Sequence, residues 1–195
     1  MNPVQRIQNI CLKPKQEWDV IAGETTSTAD LLKNYALPLA AIGAVAGFIG
    51  GSFVGVSILF VGTYRTPIGM GLAGAITLLV LAIVAVYVLS LIINALAPKF
   101  GGERSASQAL KLAVYSFTPA WLAGVLRIVP LLGVLIFFAA LYSIYVLYLG
   151  VPRLMKSPQD QAVAYTAVVV VCAMVLGFIV FAMAGLFLGA SLLMR

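Results

Sequence analysis

The sequence predicts an all-α, polytopic integral membrane protein: a bundle of five transmembrane helices preceded by a short amphipathic N-terminal segment. Three observations lead there. Of 195 residues, 63% are apolar and 9% charged, against about a quarter charged in an ordinary soluble domain. Charge is missing from long stretches: only Arg65 is charged between Lys33 and Lys99, and residues 161–194 carry none. About 20 apolar residues cross a bilayer core. Finally, the bases fall very unequally on the two sides once five spans are drawn.

Residues 1–28 form the amphipathic segment. Val4, Ile7 and Ile10 recur at helical spacing. Pro14 suits the first turn of a second helix, where its missing N–H has no partner to lose. Trp18 and Ile21 share a face of that helix. Arg6, Lys13 and Lys15 are expected near lipid headgroups, with Trp18 at the interface. No long apolar core precedes residue 30, so no cleaved signal peptide is expected.

Residues 29–195 form the membrane domain. Ser27, with Asp30 three positions on, resembles a capping box. The first span is expected at 35–60. Gly43, Gly47, Gly51 and Gly55 recur every fourth residue and so share a candidate helix-packing face, against the same chain or a second copy. The second span, 71–97, carries Ser90 and Asn94 on one face, suited to hydrogen bonds with a neighbouring helix. The third, 108–128, has Lys111 near its entrance, where its stem can snorkel to the headgroups. Pro119 should kink this span, with Ser116 and Thr118 bonding locally to the backbone. The fourth, 130–149, presents Tyr142, Tyr145 and Tyr148 along one side, and Gly150 and Pro152 are expected to end it. The fifth runs over 162–194. Its Gly177, Gly185 and Gly189 offer a smooth surface suited to the first span.

The missing chemistry narrows the function. There is no histidine, and Cys11 and Cys172 lie far apart, so neither a disulfide framework nor a Cys/His metal site is expected. Asp19 and Glu24 have no further residue to complete a metal site. No nucleophile has a base in sight, the glycines form no phosphate-binding loop, and no cofactor is expected. No ionisable group falls mid-span, where proton- and ion-coupled transporters need one. The bases are scattered, which excludes a nucleic-acid patch. A non-enzymatic protein is expected.

The loops are short enough for positive charge to report orientation. One side holds Arg6, Lys13, Lys15, Lys33, Lys99, Arg104, Lys111, Arg153 and Lys156; the other holds Arg65, Arg127 and Arg195. A cytoplasmic N-terminus and an outside C-terminus follow.

The central hairpin resembles the Yip (Ypt/Rab-interacting protein) family of five-span membrane proteins. The likeness rests on Tyr115-Ser116, Thr118-Pro119, Ile128-Val129-Pro130 and Tyr145-Val146-Leu147-Tyr148-Leu149-Gly150-Val151-Pro152. Pro14 through Trp18, Ile21 to Glu24 and Tyr35 to Leu39 resemble the start of bacterial members. The resemblance implies five helices, a cytoplasmic N-terminus and, for this short form, the bacterial inner membrane. Relatives in eukaryotes are associated with small Rab-type GTPases. This chain lacks their long cytosolic arm and the acidic Asp-Leu-Tyr-Gly-Pro element there, and has Val114 where many members have glycine. GTPase binding is therefore not carried over.

Three functions fit these observations. The leading one is binding of a protein or lipid partner within the membrane through a face made of Tyr115, Thr118, Pro119, Tyr142, Tyr145, Tyr148, Gly150 and Pro152. A second is passive transport or lipid translocation along Ser90, Asn94, Thr118 and Tyr145. A third is a homo-oligomeric scaffold built on the glycine face.

Overall fold

The computed structural model describes residues 2–58 and 62–193. The last residues of the expected first span and residues 194–195, with Arg195, lie outside the described residues. Five helices are long and apolar enough to cross a membrane: Thr28–Val54, Ile68–Phe100, Ala106–Ile128, Gly133–Leu154 and Gln159–Leu186. The chain is an all-α polytopic membrane bundle.

The N-terminal segment is a helical hairpin, α1 (Pro3–Leu12) and α2 (Pro14–Gly23), hinged at Lys13. Asn2 caps α1 by accepting from the Val4 amide at 3.0 Å. Span one starts at Ser27, whose Oγ accepts the Asp30 amide at 3.1 Å. It widens into a π-turn over Leu32–Ala36. The extra residue in that turn lies just before Pro38, which has no amide to offer an α-helical ladder.

Span one ends at Val54, earlier than its lack of charge suggests. Gly55 takes φ +87°, a left-handed conformation that glycine adopts without steric cost. The chain then turns into a small antiparallel hairpin, β1 (Val56–Ile58) and β2 (Gly62–Tyr64), with Val56 opposite Tyr64. Gly55 therefore belongs to the junction and not to the helical glycine face.

Span two is an uninterrupted α-helix over Ile68–Leu96, closed by a 3-10 turn to Phe100. Its 29 residues make it about 43 Å long at 1.5 Å per residue, against roughly 30 Å for a hydrocarbon core. This helix is therefore longer than the core and must tilt or extend beyond it.

Span three is broken where Pro119 predicts. It consists of Ala106–Ser116, Thr118–Ala123 and a 3-10 turn over Gly124–Ile128. The side chain that takes up an amide at the break is Ser143 of span four, accepting from Ala120 N–H at 3.3 Å. The expected local bonds from Ser116 and Thr118 do not form: the Ser116 hydroxyl has no partner, and Thr118 bonds to Tyr35.

Span four begins after a 3-10 turn at Pro130–Leu132 and continues to Leu154, with Pro152 inside it. Gly150 and Pro152 therefore do not end the helix. Proline forfeits only its own bond, to the carbonyl of exposed Tyr148, near the helix end where such a loss is easiest to bear. The chain leaves the helix at Met155, and Lys156 takes φ +52°. Span five packs mainly on spans two and four. Gly177 and Gly185 face open space instead of span one.

The third span sits at the centre. In its most apolar stretch 61% of the residues are buried, against 11–28% in the other four. Spans two, one and four surround it, and the N-terminal hairpin covers the remaining flank.

Candidate functional site

The polar and aromatic side chains converge where the N-terminal hairpin meets spans one, three and four. Trp18 is 1% exposed. Its indole N–H donates to the Val146 carbonyl at 3.0 Å, and its ring lies over Gly150. A Cβ at position 150 would come within 2.7 Å of that ring and 2.6 Å of Leu112 Cδ1. Gly150 is thus the seat of the tryptophan. Trp18 is packed in protein and not at a lipid interface.

Arg6 is also drawn inward, at 4% exposure. It pairs with Glu17 and Glu24, each at 2.5 Å, while Asn9 donates to the other Glu17 oxygen at 2.8 Å. Its guanidinium lies 5.6 Å from the centre of the Tyr115 ring. Burial alone would lower the Arg6 pKa, but the hydrogen bond to Glu24 and the surrounding charges outweigh it and raise it. Lys111, expected to snorkel, is 2% exposed. Its Nζ donates to the Ile21 carbonyl at 3.2 Å and also to the Glu24 carbonyl. These carbonyls lie at the C-terminal end of α2, where a helix has no donors left and its dipole favours a cation. An amphipathic pattern shows which face of a short helix is apolar but not whether lipid or protein covers it, and here protein does.

Tyr115 joins the parts. Its ring meets Tyr35 edge-on at 4.8 Å and Trp18 at 6.4 Å. The Tyr35 hydroxyl shares a hydrogen bond with Thr118 Oγ1 at 3.0 Å. Beside this cluster opens a polar cleft of about 600 Å³, lined by Arg6, Glu24, Asp30, Asn34, Tyr35 and Tyr115 among others. At the tip of the hairpin Tyr142 donates to the Cys11 carbonyl at 2.8 Å. Burial pushes the Cys11 thiol pKa up.

The candidate partner face is thereby divided. Tyr115, Thr118, Pro119 and Gly150 are buried, with Tyr35 and Trp18 against them. Pro152 is half-buried and Tyr142 anchors the hairpin. Tyr145 and Tyr148 stay on the surface, at 44% and 37% exposure. Arg6, Glu17, Trp18, Glu24, Tyr35 and Lys111 complete the cluster, and the sequence reading placed none of them in the partner face. The presence of both Glu17 and Glu24, close to Arg6 in a chain with only six acids, was the available signal.

The glycine face of span one is covered by the same chain. The Gly124 and Gly43 backbones approach so closely that a Cβ at 124 would sit 2.8 Å from Gly43 Cα. Gly47 faces the Arg127 side chain, a methyl at Gly50 would strike the Arg127 carbonyl, and Gly51 faces Thr66. Ser90 bonds within its own helix, to the Tyr87 carbonyl at 2.6 Å, instead of to a neighbour.

Comparison with known proteins places the chain in a family. The chain is similar to the inner membrane protein YohC of Escherichia coli K12, with 26% identity over 157 residues covering 79% of this chain and 80% of that protein. The YohC protein of E. coli O6:H1 matches to the same extent. No solved structure matches. The Yip1 domain model matches residues 9–181, from the tip of α1 through most of span five, so the five-span bundle and its docked hairpin belong to the Yip1-domain family.

Proposed function

We propose that this protein is a non-enzymatic membrane adaptor of the bacterial inner membrane. It binds a membrane-protein partner along the edge where span four presents Tyr145 and Tyr148 beside the N-terminal hairpin. One observation carries the reading. Of the three tyrosines, Tyr142 is committed to the hairpin, whereas Tyr145 and Tyr148 stand exposed with no hydrogen-bond partner among the described residues. Exposed tyrosines on a rigid helix supply large amphipathic contact area at low entropic cost. The similarity to an inner membrane protein supports the location, and the concentration of bases at the hairpin end supports a cytoplasmic N-terminus.

A transport path is less well supported. Thr118 is fully buried against Tyr35, Ser90 is turned to its own helix, and Tyr145 faces outward, so these groups do not converge on one route. A scaffold built on the glycine face competes with span three for that surface.

The test is a photo-crosslinking residue at Tyr145 in cells, with Tyr142 left intact to hold the hairpin. Capture of one discrete membrane protein, lost on changing Tyr148 to alanine, supports the adaptor. Capture of lipid alone overturns it.

A further inference from the structure

The end of the bundle opposite the hairpin carries a second constellation. All six acids, Glu17, Asp19, Glu24, Asp30, Glu103 and Asp160, lie in the hairpin, at the start of span one, or in the loops before spans three and five. Those positions share the hairpin end. Arg65 and Arg127 lie at the other end, where no Asp or Glu side chain falls. Arg127 is exposed and its side chain runs along Gly47. It borders a cleft of about 310 Å³ between spans one and two, lined also by Ser52, Thr66 and Gly71. Ser52 is 8% exposed, and its hydroxyl is buried without a hydrogen-bond partner among the described residues. A buried hydroxyl with no partner is costly, and such groups are few in folded proteins.

The cleft continues past Arg127 into the membrane. Gly43, Ala44, Leu78 and Arg127 also line a neighbouring cavity of about 140 Å³, whose other walls are mainly Ala40, Leu79, Ala82 and Trp121. A cation and two hydroxyls therefore stand at the head of a groove walled mostly by small apolar side chains. Arginine matches phosphate oxygens in a planar, two-toothed geometry, and hydroxyls can donate to the same group.

We propose that this groove binds an anionic glycerophospholipid, its phosphate held by Arg127, Ser52 and Thr66 and an acyl chain lying between spans one and two. The apolar continuation distinguishes a lipid from free phosphate. With no Asp or Glu side chain beside Arg127, a net negative headgroup is a better occupant than a zwitterionic one.

The experiment is native mass spectrometry of the purified full-length protein, titrated with phosphatidylglycerol or phosphatidylcholine. Phosphatidylglycerol should be retained several-fold more. R127Q should weaken its retention about 10- to 100-fold, the worth of one charged hydrogen bond. S52A should weaken it less, and R127K should restore part of it. K156Q, at the hairpin end, should leave it unchanged. Thermal melting in detergent without added lipid separates a folding defect from lost binding, because R127Q at an exposed position should melt like the parent. Equal retention of the two lipids, retention unaffected by R127Q, or displacement by millimolar inorganic phosphate would each overturn the proposal.

Discussion

Replacing Gly150 with alanine should loosen the N-terminal hairpin, and the loss should depend on Trp18. The added methyl meets the Trp18 ring at 2.7 Å and Leu112 at 2.6 Å. Leucine can change rotamer, but the indole is fixed by its bond to Val146 and by near-complete burial. Overpacking of this kind costs about 1–3 kcal/mol. Trp18→Ala alone should cost about 3–5 kcal/mol, as expected for truncating a buried aromatic residue. With the ring gone, the methyl at 150 has space. The double variant should then lie close to Trp18→Ala alone, with a coupling of about 1–3 kcal/mol between the sites. Hydrogen exchange of the α1 and α2 amides in nanodiscs reads the effect, because hairpin opening is a local event below global unfolding. If the two costs add to within about 0.5 kcal/mol, the sites are independent, and the account of Gly150 as the tryptophan's seat fails.

Other outcomes follow from the same contacts. Arg6→Met leaves Glu17 buried without its counter-charge, a loss of about 3–5 kcal/mol for such pairs; trypsin should then cut after Lys15 much faster than in the parent, Lys13 being protected by the following Pro14. In a Cys172→Ser background, alkylation of Cys11 should begin at a higher pH than in a free thiol, because burial raises its pKa. Since the folded pKa is the higher one, the stability linked to this group is intact below the unfolded pKa and is lost as pH rises through the folded value. Tyr142→Phe, by freeing the hairpin tip, should speed that alkylation at fixed pH; an unchanged rate would refute the anchoring role. Gly124→Ala pushes against the Gly43 backbone and should lower the melting temperature at a cost of about 1–3 kcal/mol, without changing the mass of the detergent-solubilised particle. A mass change would return the glycine face to an oligomer interface.

Much of the fold is legible because lipid imposes a simple rule. A span must be long and uncharged, and the stretches around Leu39, Val80 and Val170 satisfy it with no tertiary information. Local chemistry is equally legible at Ser27, whose hydroxyl does cap span one, and at Pro119, which does break span three. The failures are non-local. Arg6 finds Glu24 eighteen positions on, and Trp18 finds Val146 across 128 positions. Nothing in a ten-residue amphipathic pattern encodes such partners. The end of span one failed differently. Residues 55–64 are uncharged, which suits a helix, yet Val56, Ser57, Thr63 and Tyr64 flank Gly55 and Gly62 in a pattern that also suits a hairpin. Pro152 was read as a stop, although one missing bond near a helix end does not compel one.

The family resemblance gains a physical meaning from these positions. The residues that carry it include Trp18, Tyr115, Thr118 and Gly150, and each is spent on contacts inside the chain. Trp18 needs the bare backbone at 150. Tyr115 carries Arg6 on one side and Tyr35 on another, and Thr118 fixes the Tyr35 hydroxyl. Together they make a socket that closes the hairpin over the third span, the one span too polar and too broken to face lipid by itself. The socket explains how a chain with Lys111 and Pro119 in one helix can insert and hold: Lys111 caps α2, and the break at Pro119 is bridged by Ser143. The proposed contacts lie on surfaces that the socket leaves free. In this chain these are the Tyr145–Tyr148 edge at the hairpin end and the Arg127 groove at the other. The two are separable, since one is tyrosine on an exposed helix and the other a cation at the head of an apolar groove. Variants at one should leave the other's readout intact.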